Sequence, residues 1–362
     1  MKKVLLAGTA LLGLALTSAP AAAELNLDLG GHFRGYGVYS DADNAAANTQ
    51  DFDFRRDTEV HFTGEATSDN GLTVGVHYEL ALGGSAVETD EAYAYFAGNW
   101  GRTNFGKEDG AAYLLQVAAP SADSNVDGLR TQIQGFDLDG AVTPVPVALD
   151  YDHADFRGAQ RLTYLTPKFS GFQAGVSYAP EAADNASAAG VGAIGSPNAL
   201  VADDFKNLFE GAVRWDGEFE GFGLSAGAGY STAEVDVAGT LDGDLNTWNA
   251  GLNVAFQGFS VGAAYLDSEQ DLSGGGSNDS DTWVIGAAWD NGPYHVGASY
   301  LNADIENLDY VGDADRWTVG AGYTYGPGMS FRGAVAFGTF DNDAAAGDND
   351  FTQVTVGTDI QF

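Results

Sequence analysis

The chain has 362 residues and a formal net charge of −36 at pH 7, because 51 Asp and Glu outnumber 15 Lys and Arg. This charge excludes nucleic-acid binding through the phosphates, which requires clustered Lys and Arg. The absence of cysteine excludes disulfide scaffolds, thiolate metal sites and cysteine nucleophiles, while 50 glycines and an aromatic content of 12% favour β structure over disorder.

The N-terminal residues have the organisation of an export signal. Lys2 and Lys3 supply a positive start, residues 4–16 are apolar, and residues 21–23 are alanines that suit a cleavage site. The apolar run is too short for a membrane-spanning helix. We therefore predict a signal peptide at residues 1–23 and a mature chain of residues 24–362 that forms one domain.

From residue 170 onward the chain is nearly a repeat of short alternating segments. FQAGVSY (172–178), FSVGAAY (259–265) and YHVGASY (294–300) share an aromatic start, a central glycine and a closing tyrosine. The connections alternate between tight glycine turns and long acidic loops, which is typical of a transmembrane up-and-down β-barrel.

The first half follows the same plan, so the sequence predicts sixteen antiparallel strands, an even number that a closed bacterial barrel requires. We place them near 25–40, 52–68, 72–82, 90–100, 102–106, 161–167, 171–179, 206–218, 222–234, 246–257, 258–268, 281–290, 293–304, 314–325, 329–340 and 350–362.

Side-chain alternation indicates which solvent lies outside the barrel. Trp248, Leu252 and Phe256 share one face of their strand, opposite Asn249 and Asn253. Aromatic residues at both ends of such an apolar face are typical of strands in lipid, where the rings lie at the headgroups. We predict apolar residues outward and polar residues around a water-filled bore; a soluble β-sandwich is the alternative.

The segment 107–160 is too long and irregular for an ordinary hairpin loop. It carries nine acidic residues against three basic ones. We predict that this third long loop folds into the bore and narrows it. The acidic residues predicted at the constriction are Glu108, Asp109, Asp123, Asp127, Asp137 and Asp139.

A basic wall is predicted on the opposite side of the constriction. Its members are Arg34, Arg55, Lys107 and Arg161, most of which alternate with outward apolar residues. Acids and bases across a narrow bore create a transverse field, and an excess of acids favours cations. We therefore predict cation selectivity.

Asp123, Asn125 and Asp127 resemble the beginning of a calcium-binding loop. The twelfth position is Gln134, where an EF-hand requires a bidentate glutamate. The sequence is therefore compatible with a looser oxygen-ligated calcium site in this loop or among outer loops such as 267–281, and the alternative is a solvated acidic surface. The chain requires no other cofactor.

The five histidines are the obvious candidates for enzymatic chemistry. His32, His61, His77 and His295 are expected on lumen-facing strand positions and His153 in the long loop. None has a nucleophile or a metal ligand at a diagnostic spacing along the chain, so we predict no enzymatic activity. An outer-membrane hydrolase with its site at the rim is the alternative.

Three stretches resemble the general-diffusion porins of Gram-negative outer membranes, particularly the alphaproteobacterial kind. They are DEAYAYFAGNWGRTNFGKEDG (90–110), LTYLTPKFSGFQAGVSY (162–178) and the terminal VTVGTDIQF (354–362). The resemblance implies a sixteen-stranded barrel in outer-membrane lipid and lipopolysaccharide, usually a homotrimer, that passes small hydrophilic solutes by passive diffusion. It also implies that the third loop forms the eyelet. Lys107 departs from the family, in which arginine frequently opens this loop.

Two further functions remain as alternatives. A substrate-specific channel for phosphate is disfavoured because the basic residues are concentrated in one sector, whereas a preference for sugars or amino acids stays open. A purely structural barrel with a plugged bore is the other alternative.

Overall fold

The computed structural model describes residues 25–43, 50–82, 87–133, 149–153, 159–181, 205–235, 241–272, 277–306, 311–341 and 349–362. The predicted signal peptide lies outside the described residues. The described chain forms sixteen β-strands and one short helix, α1 (Ala111–Leu114). The strands are β1 (Asn26–Ala42), β2 (Phe52–Thr67), β3 (Thr73–Ala81), β4 (Glu88–Gly98), β5 (Gly101–Lys107), β6 (Gln160–Leu165), β7 (Phe172–Glu181), β8 (Phe205–Phe219), β9 (Phe222–Val235), β10 (Leu241–Phe256), β11 (Phe259–Leu272), β12 (Ser277–Asn291), β13 (Tyr294–Glu306), β14 (Val311–Gly326), β15 (Met329–Phe340) and β16 (Asn349–Gln361).

Each strand pairs antiparallel with its neighbours in the chain, and β1 pairs with β16. The sheet therefore closes into a barrel, as the sequence predicted. Backbone N–H and C=O groups are paired between strands, which is what a β structure in hydrocarbon requires. Backbone bonds of 3.1 Å between Gly31 and Phe362 in both directions continue the β1–β16 seam to the end of the chain.

The hairpins at one end of the barrel are tight. In the turn between β10 and β11, Gln257 and Gly258 have φ values of 50° and 85°. Glu220 and Gly221, between β8 and β9, have 50° and 84°. Two consecutive positive φ angles are characteristic of the type I′ turn, whose twist suits adjoining antiparallel strands. The connections at the other end are longer, as in residues 43–51 and 182–204.

The outer face of the wall is apolar. On β10 the side chain of Leu252 is 52% exposed, whereas Asn249 on the opposite face is 1% exposed. Outward aromatic rings pair across strands near both ends. These pairs are Phe222–Phe256, Phe259–Trp289 and Tyr294–Tyr323 at the tight-turn end, and Tyr178–Phe209, Trp248–Tyr265 and Trp283–Tyr300 at the other.

The two aromatic rows are separated by the height of an apolar band. Trp283 and Trp289 lie six residues apart on one face of β12, which corresponds to roughly 15 Å along the barrel axis at the usual rise and tilt. Among the described residues, no α-helix has the length and apolar character needed to cross a membrane.

Much of the tightest packing lies where the segment after β5 meets the inner face of the wall. Leu149 and Tyr151 pack in one cluster with Val284 and Leu301, which point inward from β12 and β13. A second cluster joins Val126 and Ile133 of the segment to Tyr36 and Val38 of β1, and Tyr36 is only 2% exposed. The inner face is thus a packing surface for this segment.

Candidate functional site

The segment after β5 is attached to the wall at its beginning through Glu210 on β8. The Glu210 carboxylate accepts a 3.1 Å hydrogen bond from the Ala112 N–H in α1 and forms a buried ion pair with Arg161 of β6. The Ala111 N–H donates to the hydroxyl of Ser177 at 2.8 Å. A side chain at Gly110 would collide with Glu210. These contacts fix α1 against the inner faces of β6, β7 and β8.

Glycines on the inner face let the segment lie close to the wall. The central glycines of the three repeated heptapeptides, Gly175, Gly262 and Gly297, all point inward. A Cβ atom added at Gly175 would lie 3.1 Å from Ala111 Cβ, and one added at Gly262 would lie 2.9 Å from Pro120 Cδ. At Gly297 it would collide with the Ser121 carbonyl. The repeat therefore provides a row of inward glycines, the glycine track, against which the backbone of the segment packs.

The far end of the track is held by Asp127 and Asp123. Asp127 accepts hydrogen bonds from the Ser299 hydroxyl at 2.6 Å and from the N–H of Asp123 at 2.7 Å. Asp123 accepts the Tyr36 phenol at 2.8 Å and pairs with Arg332 at 3.1 Å. The segment therefore contacts the inner wall from β6 around to β1.

The predicted acidic residues are largely turned toward this wall. Glu108 is 5% exposed and accepts two 2.7 Å bonds from the Asn104 amide, and burial raises the pKa of its carboxyl group to about 7. Asp109 pairs with Arg130 at 2.9 Å. Burial also raises the pKa of Asp127. Asp137 and Asp139 lie outside the described residues.

Three of the four predicted bases point inward. Arg34 forms a 2.6 Å ion pair with Asp57 on β2. Arg55 stands opposite the buried Tyr36 in the β1–β2 register, with a side chain that is 53% exposed and 3.6 Å from Asp53. Arg161 is buried against Glu210.

The prediction for the fourth base, Lys107, is wrong. It follows the outward Phe105 by two positions and stands opposite Ala92, and its ammonium group donates to the Thr89 carbonyl at 2.7 Å. The register therefore places Lys107 outside the inner basic wall. Lys107 was assigned to this wall from its position at the start of the loop, whereas the alternation of β5 puts it on the same face as Phe105.

Several inward bases were not predicted. Arg332 bridges Asp123 and Asp359, at 3.1 and 3.2 Å. Arg316 is 3% exposed and donates to the Val126 carbonyl at 3.3 Å. The sequence contained the pattern that would have identified them, because each of these arginines alternates with outward aromatic residues on its strand, as Arg34 does on β1.

Asp123, Asn125 and Asp127 do not fit a calcium site in this arrangement. Both Asp127 oxygens accept backbone N–H groups, from Ala122 at 2.9 Å and from Asp123 at 2.7 Å. The Asp123 oxygens accept the Tyr36 phenol and the Arg332 guanidinium. Calcium requires several oxygens directed at one point, and here donors and a cation take those directions.

A cavity of about 340 Å³ lies between the segment and β13–β16. Its polar lining includes Asp123, His295, Arg332 and Asp359. Both signs of charge thus border the space beside the segment.

The sequence and the fold are similar to those of known proteins. A model of the Gram-negative porin family matches residues 8–345. An anion-selective porin from Comamonas acidovorans superposes with a TM-score of 0.64 at 19% identity, over 94% of this chain and 100% of its own. The trimer form of OmpT, an outer membrane protein of Vibrio cholerae, gives 0.62 at 14% identity, over 93% and 99%.

A mutant of the Rh. blastica porin superposes with a TM-score of 0.58 at 18% identity, over 93% of this chain and 100% of its own. At these identities the likeness to the solved structures shows the fold. No curated protein matches the sequence.

Proposed function

Because the chain belongs to the family of Gram-negative porins, we propose that it lets small hydrophilic solutes and ions cross the outer membrane by passive diffusion. The protein is a multi-pass β-barrel of that membrane, and family and fold both indicate a channel rather than an enzyme. The observation that carries the proposal is the inner face, which presents charged side chains such as Arg34 and Arg55 inside an apolar exterior. Barrels of sixteen strands are wide enough to leave an aqueous channel.

The constriction is formed by the segment after β5. This proposal is supported by the attachment of its first part at two places, through Ala112 to Glu210 and through Asp123 to Tyr36 and Arg332. A segment held in this way occupies part of the cross-section and cannot swing out of the bore without breaking the Asp123–Arg332 ion pair and the hydrogen bonds to Glu210 and Tyr36. Solutes would pass between it and the wall that carries Arg55 and Asp53, whose side chains are 53% and 62% exposed.

We propose a preference for cations, and the distribution of these charges supports it. Arg161, Arg130 and Arg332 are each paired with one or two carboxylates. The pairing cancels the field of these inward bases and leaves the excess acids of the chain to set the sign of the potential. The Comamonas relative is anion-selective, so selectivity varies among barrels of this fold and must be measured for this chain.

A homotrimer is the assembly that we propose. The outward face of β1 carries Leu27 and Leu29, which are 68% and 59% exposed, and the rings of Phe33 and Phe52 lie over Gly35 and Gly37, so this face offers a continuous apolar surface to a second copy. The Vibrio cholerae relative is described in a trimer form.

Planar-bilayer recording of the purified protein tests the channel, its selectivity and its assembly together. We expect ohmic conductance, closure in three steps, and a reversal potential of cation sign in a KCl gradient. A membrane that stays insulating after verified insertion would refute the channel, whereas a reversal potential of anion sign would refute only the cation preference. Closure in a single step would refute three independent pores.

A further inference from the structure

Three histidines that are far apart in the sequence meet on the inner faces of β1, β2 and β3. The ring centroids of His32 and His61 are 6.0 Å apart, and those of His61 and His77 are 5.8 Å apart. The strand register interleaves them with carboxylates, because His32 stands opposite Glu59 and His61 opposite Glu79. Spacing along the chain gave no sign of this cluster, which exists only once the strands are paired.

The ring of His61 lies between two carboxylates. Its Nε2 lies 3.0 Å from Glu59 and its Nδ1 lies 3.4 Å from Glu79. A neutral imidazole has one N–H and one lone pair. Whichever nitrogen carries the proton, the other therefore directs its lone pair at a carboxylate. This contact becomes favourable when the ring takes up a second proton or when a metal cation lies between the two groups.

The outer partners indicate which nitrogens are directed at Glu59. His32 donates through Nε2 to Asp57 at 3.0 Å, and Asp57 is itself held by Arg34. Glu79 accepts His77 Nε2 at 2.8 Å and can accept His61 Nδ1. In the tautomer that carries the His61 proton on Nδ1, His32 Nδ1 and His61 Nε2 both direct lone pairs at Glu59, at 3.8 and 3.0 Å. In the other tautomer His61 Nε2 donates to Glu59, and a metal ion bound there would replace that proton.

We propose that His32, His61 and Glu59 form a binding site for a divalent transition-metal cation such as Zn²⁺ on the inner wall of the barrel. Their ligand atoms lie within 4.8 Å of one another, and tetrahedral zinc with bonds of about 2.1 Å needs separations of about 3.4 Å. Small side-chain rotations close that difference. Two imidazoles and one carboxylate select zinc, nickel or copper over calcium or magnesium, which prefer oxygen ligands.

The surroundings complete the site. Asp57 and Glu79 stand behind the two imidazoles in the carboxylate–histidine–metal arrangement that orients metal-bound histidines. Asp57, Glu59, Glu79 and the neighbouring Asp90 outnumber Arg34, so the surroundings are negative when the histidines are neutral and favour a divalent cation. His61 has a side chain that is 27% exposed, so a fourth position is open to water and to entry from the bore.

Isothermal titration of tag-free, detergent-solubilised protein with zinc chloride tests the site directly. We expect one Zn²⁺ per chain, not displaced by a large excess of Ca²⁺ or Mg²⁺. His61→Gln and Glu59→Gln should each weaken binding by at least about tenfold, and Asp57→Asn by about 10–100-fold, the usual effect of losing a partner behind a metal-bound histidine. The matched control is His295→Gln, which changes an inward histidine on β13 that contacts Ser121 and Asp290.

The titration measures zinc binding and does not depend on ion conductance, so its result is independent of whether the barrel acts as a channel. Each variant is compared with the parent by circular dichroism and by heat-modified migration on gels, and His32→Gln replaces any variant that does not fold. Equal affinity in the His61→Gln, His32→Gln and parent proteins would overturn the proposal. Displacement of zinc by equimolar calcium would overturn it as well, because that result would indicate a general acidic surface.

Discussion

The Tyr36 phenol on β1 donates a 2.8 Å hydrogen bond to Asp123, although 87 positions separate the two residues in the chain. Tyr36 also accepts the amide of Asn125 at 3.0 Å. One hydroxyl group on the wall therefore holds two residues of the segment after β5. Both partners are almost completely buried, with 2% and 3% exposure, so neither can easily exchange this bond for one with water.

Tyr36→Phe should lower the free energy of unfolding by about 1–3 kcal/mol, since it leaves a buried carboxylate with one donor fewer. Urea unfolding in detergent measures the change. Tyr39→Phe is the control, because Tyr39 lies on the outward face of the same strand and is 42% exposed. Equal effects of the two substitutions would contradict the role given to the Tyr36 hydroxyl.

Arg332→Gln should make the channel more cation-selective. The substitution removes the positive charge that Asp123 and Asp359 share, so the potential in the bore becomes more negative. The reversal potential in a KCl gradient should shift toward the potassium equilibrium value. Arg56→Gln removes the same charge from a position opposite the outward Gly35 and should leave the reversal potential almost unchanged.

The ionisation of Glu108 should make selectivity depend on pH near neutrality. Burial raises the pKa of this carboxyl group from 4.5 to about 7, so the group gains its negative charge as the pH rises through 7. Cation selectivity should therefore increase between about pH 6 and pH 8. Glu108→Gln should abolish this step, and a step of equal size in that variant would assign it to another group.

The same shift has a consequence for stability. Because the folded protein holds the Glu108 proton more tightly than the unfolded chain does, unfolding releases a proton between pH 4.5 and about 7. The contribution of Glu108 to the free energy of unfolding is therefore largest below pH 4.5 and falls as the pH rises through about 7. Urea unfolding of the parent and of Glu108→Gln, compared at pH 5 and pH 8, measures the difference.

Gly297→Val should destabilise the protein although valine suits a β-strand. A side chain there collides with the Ser121 carbonyl, and overpacking of this kind costs about 1–3 kcal/mol. Gly333→Val is the matched control, since Gly333 points outward opposite Val356 and its nearest neighbour would be 3.4 Å from the new Cβ. A similar loss of stability in both variants would indicate that the strand, and not the segment, is sensitive.

The strands were predictable from the sequence because their signal is local. A period of two residues assigns Leu252 and Asn249 to opposite faces without knowledge of any other strand, and the glycine turns mark where each hairpin ends. Sixteen strands, their order and the lipid-facing side follow from these features.

The path of the segment and the histidine cluster could not be predicted in the same way. The contact of Asn125 with Asp359 joins residues 234 positions apart, and the meeting of His32, His61 and His77 requires the register of three strands. Register is set by the whole closed sheet and not by any one stretch. The inward glycines were visible as a repeat, but only the backbone lying against them explains why each is a glycine.

The seam between β1 and β16 has a consequence for biogenesis. Its paired residues, such as His32 and Gln361, come from opposite ends of the chain, so β1 must wait for β16 before the second edge of either strand is paired. Until then each presents unbonded backbone that hydrocarbon cannot tolerate. Insertion should therefore be cooperative, because the hydrogen bonds of this seam form only when the last strand is in place.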